Sequence, residues 1–134
     1  MTNFIDVFGK EITFSKGLLG LEEYIKYKIE KIEGNDNFYL LQSCNDSNLA
    51  MIVINPFQFV EDYEIPLDDN LIKTLDIKKE EDVVIFNTVT LAKEEKDFTT
   101  NLVAPIIINI KNSNGEQIIL NNSKYKIKEK VFKE

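Results

Sequence analysis

Ile25-Lys26-Tyr27-Lys28-Ile29-Glu30 alternates without a break: Ile25, Tyr27 and Ile29 point one way, and Lys26, Lys28 and Glu30 point the other. A period of two over six residues is the pattern of a half-buried antiparallel strand. A turn is predicted next at Gly34-Asn35-Asp36-Asn37. Two apolar runs follow, 38–42 and 49–54, joined by the polar residues 43–48. Upstream, 3–8 and 11–14 read as short strands around Gly9-Lys10. Downstream, 83–91 is a strong strand with Thr88 and Thr90 on one face, and 106–109 and 117–120 flank Asn114-Gly115. Asn-Gly between apolar runs predicts a type I′ hairpin turn, because both residues tolerate positive φ.

One segment has helical spacing. Leu67, Leu71, Ile72 and Leu75 share a face. Pro66 suits the first helical position, and Asp68 and Asp69 suit the positive end of the helix dipole. Residues 17–24 are a weaker candidate for a single turn. The sum is about eight short strands and one or two short helices. The expected fold is mostly β: a small antiparallel β-barrel-like domain, or a sandwich, with barrel closure removing exposed edges.

The 134 residues suit one domain spanning 1–134, and a 43% hydrophobic content is enough for a core. The chain has no His, and all 16 of its basic residues are Lys. Triads, Cys-His dyads, imidazole metal sites and guanidinium clamps are therefore excluded. A single Cys44 excludes an internal disulfide and CxxC chemistry, and the five glycines form neither a dinucleotide fingerprint nor a P-loop. No cofactor or metal is expected. Residues 1–9 lack the basic and apolar regions of a signal peptide, and runs such as 104–108 fall far below the ~18 residues of a membrane span. The expected location is cytoplasmic, with no membrane partner. A net charge of −7 argues against direct nucleic-acid binding and favours a basic partner.

Several clusters invite a chemical reading. The carboxylate groups Glu61-Asp62-Tyr63-Glu64, Glu80-Glu81-Asp82 and Glu94-Glu95 are sequence neighbours, which does not place two carboxyls across one cleft. Asn35-Asp36-Asn37 and Asn45-Asp46-Ser47-Asn48 lack EF-hand spacing and read as turns. Cys44 reads as a buried or strand-end thiol. Lys124, Lys126, Lys128 and Lys130 would line one face of an extended strand, as a solvated edge. In 56–63, Phe57 and Phe59 would share a strand face beside an acidic run. Exposed aromatics beside acids make a protein-binding patch.

Here the sequence resembles a known family. Leu41-Gln42-Ser43-Cys44, Leu49-Ala50-Met51-Ile52-Val53-Ile54, Asn55-Pro56-Phe57-Gln58-Phe59 and Asp62-Tyr63-Glu64 resemble the central signature of the flagellar assembly factor FliW family. Phe14 with Gly17-Leu18-Leu19-Gly20-Leu21 resembles its N-terminal element, with Leu21 where members often carry Phe. The run 83–91 is similar to its central strand. Thr99-Thr100-Asn101-Leu102-Val103-Ala104-Pro105-Ile106 is similar to its "T.NL.API" motif, and Gly115-Glu116-Gln117-Ile118-Ile119-Leu120 with Tyr125 to its closing hairpin. The final strand carries only Lys where members often carry Arg. The resemblance spans Asn3 to Phe132.

The resemblance implies a non-enzymatic cytoplasmic β-barrel protein that binds flagellin before export. Once released, such a protein binds the translational repressor CsrA and relieves repression of flagellin synthesis. It implies two partners, flagellin and CsrA, and the chain is expected to be a monomer. Two patches are candidates for contact. The first is Asn55, Phe57, Phe59, Asp62, Tyr63 and Glu64. The second is Asn101, Leu102 and Pro105, where Asn101 and Pro105 punctuate a strand-like run. The rival readings are a small hydrolase working with carboxylates and Lys, which needs two carboxyls in a deep cleft, and a nucleic-acid-binding β-barrel using the Lys strip.

Overall fold

The computed structural model describes residues 7–122 and 124–133. Nine strands run in chain order: β1 (Glu11–Phe14), β2 (Lys26–Ile32), β3 (Asn35–Ser43), β4 (Ala50–Ile54), β5 (Val83–Thr90), β6 (Thr99–Thr100), β7 (Ile106–Asn109), β8 (Asn114–Gln117) and β9 (Glu129–Lys130). One α-helix, α1 (Asp69–Thr74), lies between β4 and β5.

Seven strands close on themselves in the order β1-β2-β3-β4-β5-β7-β8, with β8 returning to β1. The β-barrel of the sequence reading is what forms, with one departure from an all-antiparallel order. Strand β1 pairs with β8 in parallel, Thr13 opposite Asn114 and Phe14 opposite Gly115. This is the seam that closes the ring. Strand β5 takes β4 on one edge, and Val89 faces both Ile52 of β4 and Thr100 of β6. β6 in turn carries β9, so these two short strands hang outside the closed ring.

Tyr27 and Ile29 of β2 point into the barrel and are fully buried, while Lys26, Lys28 and Glu30 face solvent. Ile12, Phe14, Tyr39, Leu41, Val53, Phe86, Ile106 and Ile108 complete the interior. Ile25 lies just before the strand and is 38% exposed, so the alternation begins one residue later than its sequence pattern. Strand β7 is buried at every position. Ile106 and Ile108 face inward, and Ile107 joins Leu71, Leu75 and Ile77 in a second core where α1 covers the barrel wall.

Three expectations shift. Pro66 precedes the helix instead of starting it. Asp68 is the N-cap, its side chain accepting from the Leu71 N–H at 2.8 Å, and the helix ends as Asp76 turns left-handed at φ 52°. Residues 17–24 form consecutive turns, not a helical one, stitched by a bridge between Leu18 and Leu21. The lysines of 124–130 do not form an extended strip. Only Glu129 and Lys130 are strand, because turns at Lys124 and at Ile127-Lys128 break the run. Of the strand expected at 3–8, residues 3–6 lie outside the described residues, and Phe8 makes an isolated parallel bridge to Ile29.

The two turns also move. Gly34, at φ 79°, closes the β2–β3 hairpin, and Asn35 already pairs with Ile32. The β7–β8 hairpin turns at residues 110–113, with Ser113 at φ 60°. Asn114 and Gly115 are the first residues of β8, opposite Asn109 and Ile108. Gly115 is needed there for space: a Cβ would run into the Phe14 ring, with Cδ1 at 2.9 Å, and lie 3.1 Å from the Ile107 carbonyl oxygen.

The Asn/Asp loop at 45–48 is a self-satisfied turn. Ser43 Oγ accepts from the Asn45 and Asp46 N–H groups, and Asp46 accepts from the Asn48 N–H. Cys44 sits exposed just past the end of β3. No described helix is long and apolar enough to cross a membrane.

Candidate protein-interaction site

The chain leaves β4 at Ile54 and tightens at once into a short 3₁₀ turn, Pro56–Gln58. Asn55 caps it, its Oδ1 accepting from the Phe57 N–H at 3.1 Å. Pro56 supplies a fixed φ at a position whose N–H would have no partner. This turn overrides the expectation that Phe57 and Phe59 share a strand face. With three residues per turn, positions two apart diverge. Phe57 swings out, 54% exposed, its ring 6.0 Å from Tyr63. Phe59 goes the other way and packs 6.2 Å from Phe38.

The loop that follows is held by two tyrosines. Tyr63 is 5% exposed and donates from its hydroxyl to the Leu102 carbonyl at 2.6 Å. The same hydroxyl accepts from Asn87 Nδ2 at 3.0 Å, and that nitrogen also donates to the Asn101 carbonyl at 2.8 Å. Tyr125 stacks edge-on against Tyr63 at 4.9 Å. Its hydroxyl accepts from the Glu64 N–H at 2.7 Å and donates to the Asp62 carbonyl at 3.3 Å. Asp62 holds a left-handed φ of 58° between these anchors.

Burial pushes the Tyr63 hydroxyl up to about 12, helped by Tyr125 nearby and opposed by the Asn87 hydrogen bond. The folded protein thus holds this proton more tightly than the unfolded chain. The resulting stability is present below about pH 10 and is lost as pH rises towards 12. Tyr63→Phe is expected to lose about 1 kcal/mol at neutral pH by stranding the Leu102 carbonyl. Chemical denaturation from pH 8 to 12 should show a shallower alkaline decline in the variant.

The two patches of the sequence reading are thus one structure, but most of it is not surface. Leu102, 1% exposed, and Pro105 are buried, and Tyr63 is buried with them. Leu102 packs with Tyr63, Leu120 and Tyr125 in one buried cluster, so it supports the site from inside instead of meeting solvent. Asn101 is half-buried and caps the Val103 N–H at 3.0 Å. Phe59 is half-buried in a second aromatic cluster. Phe57, Asp62 and Glu64 face solvent, and Asn55 does so in part.

A groove opens beside Phe57. Its volume is about 370 Å³, and it is lined by Phe57, Tyr63, Ile65, Leu67, Val83 and Ile85 with Glu64 and Glu80 on its walls. A second hollow continues it past Ile65 and Leu67 to Ile72 and Ile77, ending at Lys78 and Lys79. Apolar floor and charged rim are the make-up of a helix-binding or peptide-binding surface. Glu64 and Glu80 share this groove, yet both are exposed, so it offers two solvated carboxylates and not the deep cleft an acid–base pair needs. Among the described residues no three His, Cys, Asp or Glu side chains converge as metal ligands.

The sequence reading missed Asn87, Ile65 and Ile85. A polar Asn inside the apolar run 83–91 was the available signal, since a buried strand amide must be hydrogen-bonded. The groove floor carries no local signal.

The model of the FliW protein family matches residues 5–131. The chain belongs to the FliW family. The flagellar assembly factor FliW of Clostridium novyi (strain NT) is 48% identical over 123 residues, covering 92% of this chain and 86% of the relative. That of Clostridium tetani (strain Massachusetts / E88) is 49% identical over 123 residues, covering 92% and 85%. A crystal structure of the flagellar assembly factor FliW superposes with a TM-score of 0.87 at 38% identity, covering 92% of this chain and 86% of that one. The chain is therefore a flagellar assembly factor of this family, and its relatives are named for assembly, not for a reaction.

Proposed function

We propose that this FliW-family protein is a non-enzymatic cytoplasmic chaperone that binds flagellin before export. When released, it binds and antagonises the translational repressor CsrA. The observation that carries the reading is the apolar groove headed by the exposed Phe57. A helix that is unpaired before filament assembly presents an apolar stripe, and a groove floored by Ile65, Leu67, Ile72 and Ile85 matches that stripe in chemistry. Glu64 and Glu80 on the groove walls, with Glu61 and Asp62 exposed on the adjoining loop, add charge complementary to CsrA, which as an RNA-binding protein must carry a cationic surface. Buried Tyr63, Leu102 and Tyr125 hold the rim loop from beneath.

Titration calorimetry of the protein into CsrA, free and with flagellin pre-bound, tests the proposal. The expected result is micromolar or tighter binding that flagellin blocks. Silence with both partners on folded protein would overturn it. Association with CsrA should slow by at least about tenfold between about 0.05 and 0.5 M salt, as stopped-flow mixing would show, because exposed carboxylates steer encounter and salt screens them.

A further inference from the structure

The second aromatic cluster lies apart from the groove, at one end of the barrel. Phe38 and Phe59 stack there, Phe98 joins Phe38 at 6.1 Å, and Ile54 and Val89 form the floor. This apolar site is filled by the chain's own C-terminal segment. Val131 is buried to 3% exposure within it. Phe132 inserts edge-on to Phe38 at 6.0 Å and to Phe59 at 5.9 Å.

Few main-chain bonds hold this segment in place. β9 pairs with β6 over two residues, Thr99 opposite Lys130 and Thr100 opposite Glu129. One further backbone bond runs from the Val131 N–H to the Phe98 carbonyl at 3.1 Å. Lys130 reaches Asp97 at 3.6 Å, but both side chains are solvated and such pairs contribute little. β9 is the terminal strand of the sheet order, whereas every barrel strand pairs on both sides. Elements with so few buried bonds open well below the free energy of global unfolding. The site beneath is built by Phe38 of β3, Ile52 and Ile54 of β4, Phe59 beyond the 3₁₀ turn, Val89 of β5 and Phe98 just before β6.

We propose that the β6 edge together with Phe38, Phe59 and Phe98 is a peptide-acceptor site, closed in cis by Glu129–Phe132. Its occupant in trans is an extended partner segment carrying an aliphatic–Phe pair preceded by a basic residue. The chemistry of the occupant is read from the segment already seated there. The β6 edge supplies main-chain hydrogen bonds, the cluster takes the aliphatic and aromatic side chains, and Asp97 meets the cation. Because the cis segment is tethered, it competes at high effective concentration. A partner therefore binds tightly only when its own pair outcompetes Val131-Phe132. This site stands apart from the Phe57 groove, and the inference does not rest on the function proposed above.

The test uses a fluorescent peptide of residues 127–133, titrated by anisotropy into the full-length protein and into Phe132→Ala. Weakening the cis occupant should tighten peptide binding by at least about tenfold relative to wild type. The same peptide with its Phe replaced by Ala should bind neither protein. Failure of folded Phe132→Ala to bind up to about 1 mM would overturn the proposal. Hydrogen exchange on the wild type keeps the idea testable if the variant does not fold. The Val131 amide should exchange at least about a hundredfold faster than the Ile85 amide, and equal protection would mean that the segment opens only with the whole fold and overturn it. A concentration-dependent dimer dissolved by the peptide would place a second copy in the site, and would overturn the assignment of a foreign segment.

Discussion

Gly115→Ala should lower the melting temperature by about 10 °C, a loss of about 3 kcal/mol. Gly115 sits on β8 at the parallel seam with β1, opposite Phe14. Phe14 is fully buried and stands edge-on to Tyr27 at 5.6 Å, so its ring has nowhere to move. A methyl group would strike that ring on one side and press on the Ile107 carbonyl on the other. The backbone at Gly115 is not left-handed, so crowding alone is at issue. Differential scanning calorimetry measures the loss. Phe14→Leu in the same chain should recover part of it, because the two substitutions act on one space and their effects should not add. Additive losses would mean that the seam is not the source.

Phe57→Ala should weaken flagellin binding by about thirtyfold or more, equivalent to about 2 kcal/mol, with stability changed by less than about 0.5 kcal/mol. An aromatic more than half exposed contributes little to folding, yet it overhangs an apolar groove where a partner would bury it. Phe59→Ala is the internal control. Two residues away, it loses contacts with Phe38 and Phe132, so it should cost stability first. Calorimetric titration and thermal melts of both variants separate the two roles. A Phe57→Ala protein that binds normally would remove the groove from the functional argument. One that unfolds would make Phe57 core.

Much of the fold was legible because strand patterning is local. The alternation over 25–30 and the apolar run over 83–91 name strands β2 and β5 without reference to anything distant. The run Ile106–Asn109 was legible as a strand, but not as one buried on both faces, since that depends on α1 covering Ile107. Asn114-Gly115 marked a hairpin correctly and its turn wrongly. Asn-Gly is a turn dipeptide by conformational preference, but here the glycine serves a packing need set by Phe14, 101 residues away in sequence. Local propensity carries no information about such a neighbour.

The candidate site divides along the same line. Asn55, Phe57, Asp62 and Glu64 were legible as a turn with an exposed aromatic and acids. That Tyr63, Leu102 and Pro105 would be buried was not, because apolar and aromatic residues in a loop look the same whether they bind a partner or the loop itself. By itself the sequence determined the longer strands β2 to β5 and β7, the absence of imidazole and guanidinium chemistry, and the acidic charge, since each depends on residue type or on neighbours a few positions apart. The tertiary structure alone decided which side chains face solvent at the site. Tyr63 reaches Leu102 across 39 residues and Tyr125 reaches the Glu64 amide across 61. Only closure of the barrel brings those groups within hydrogen-bonding distance.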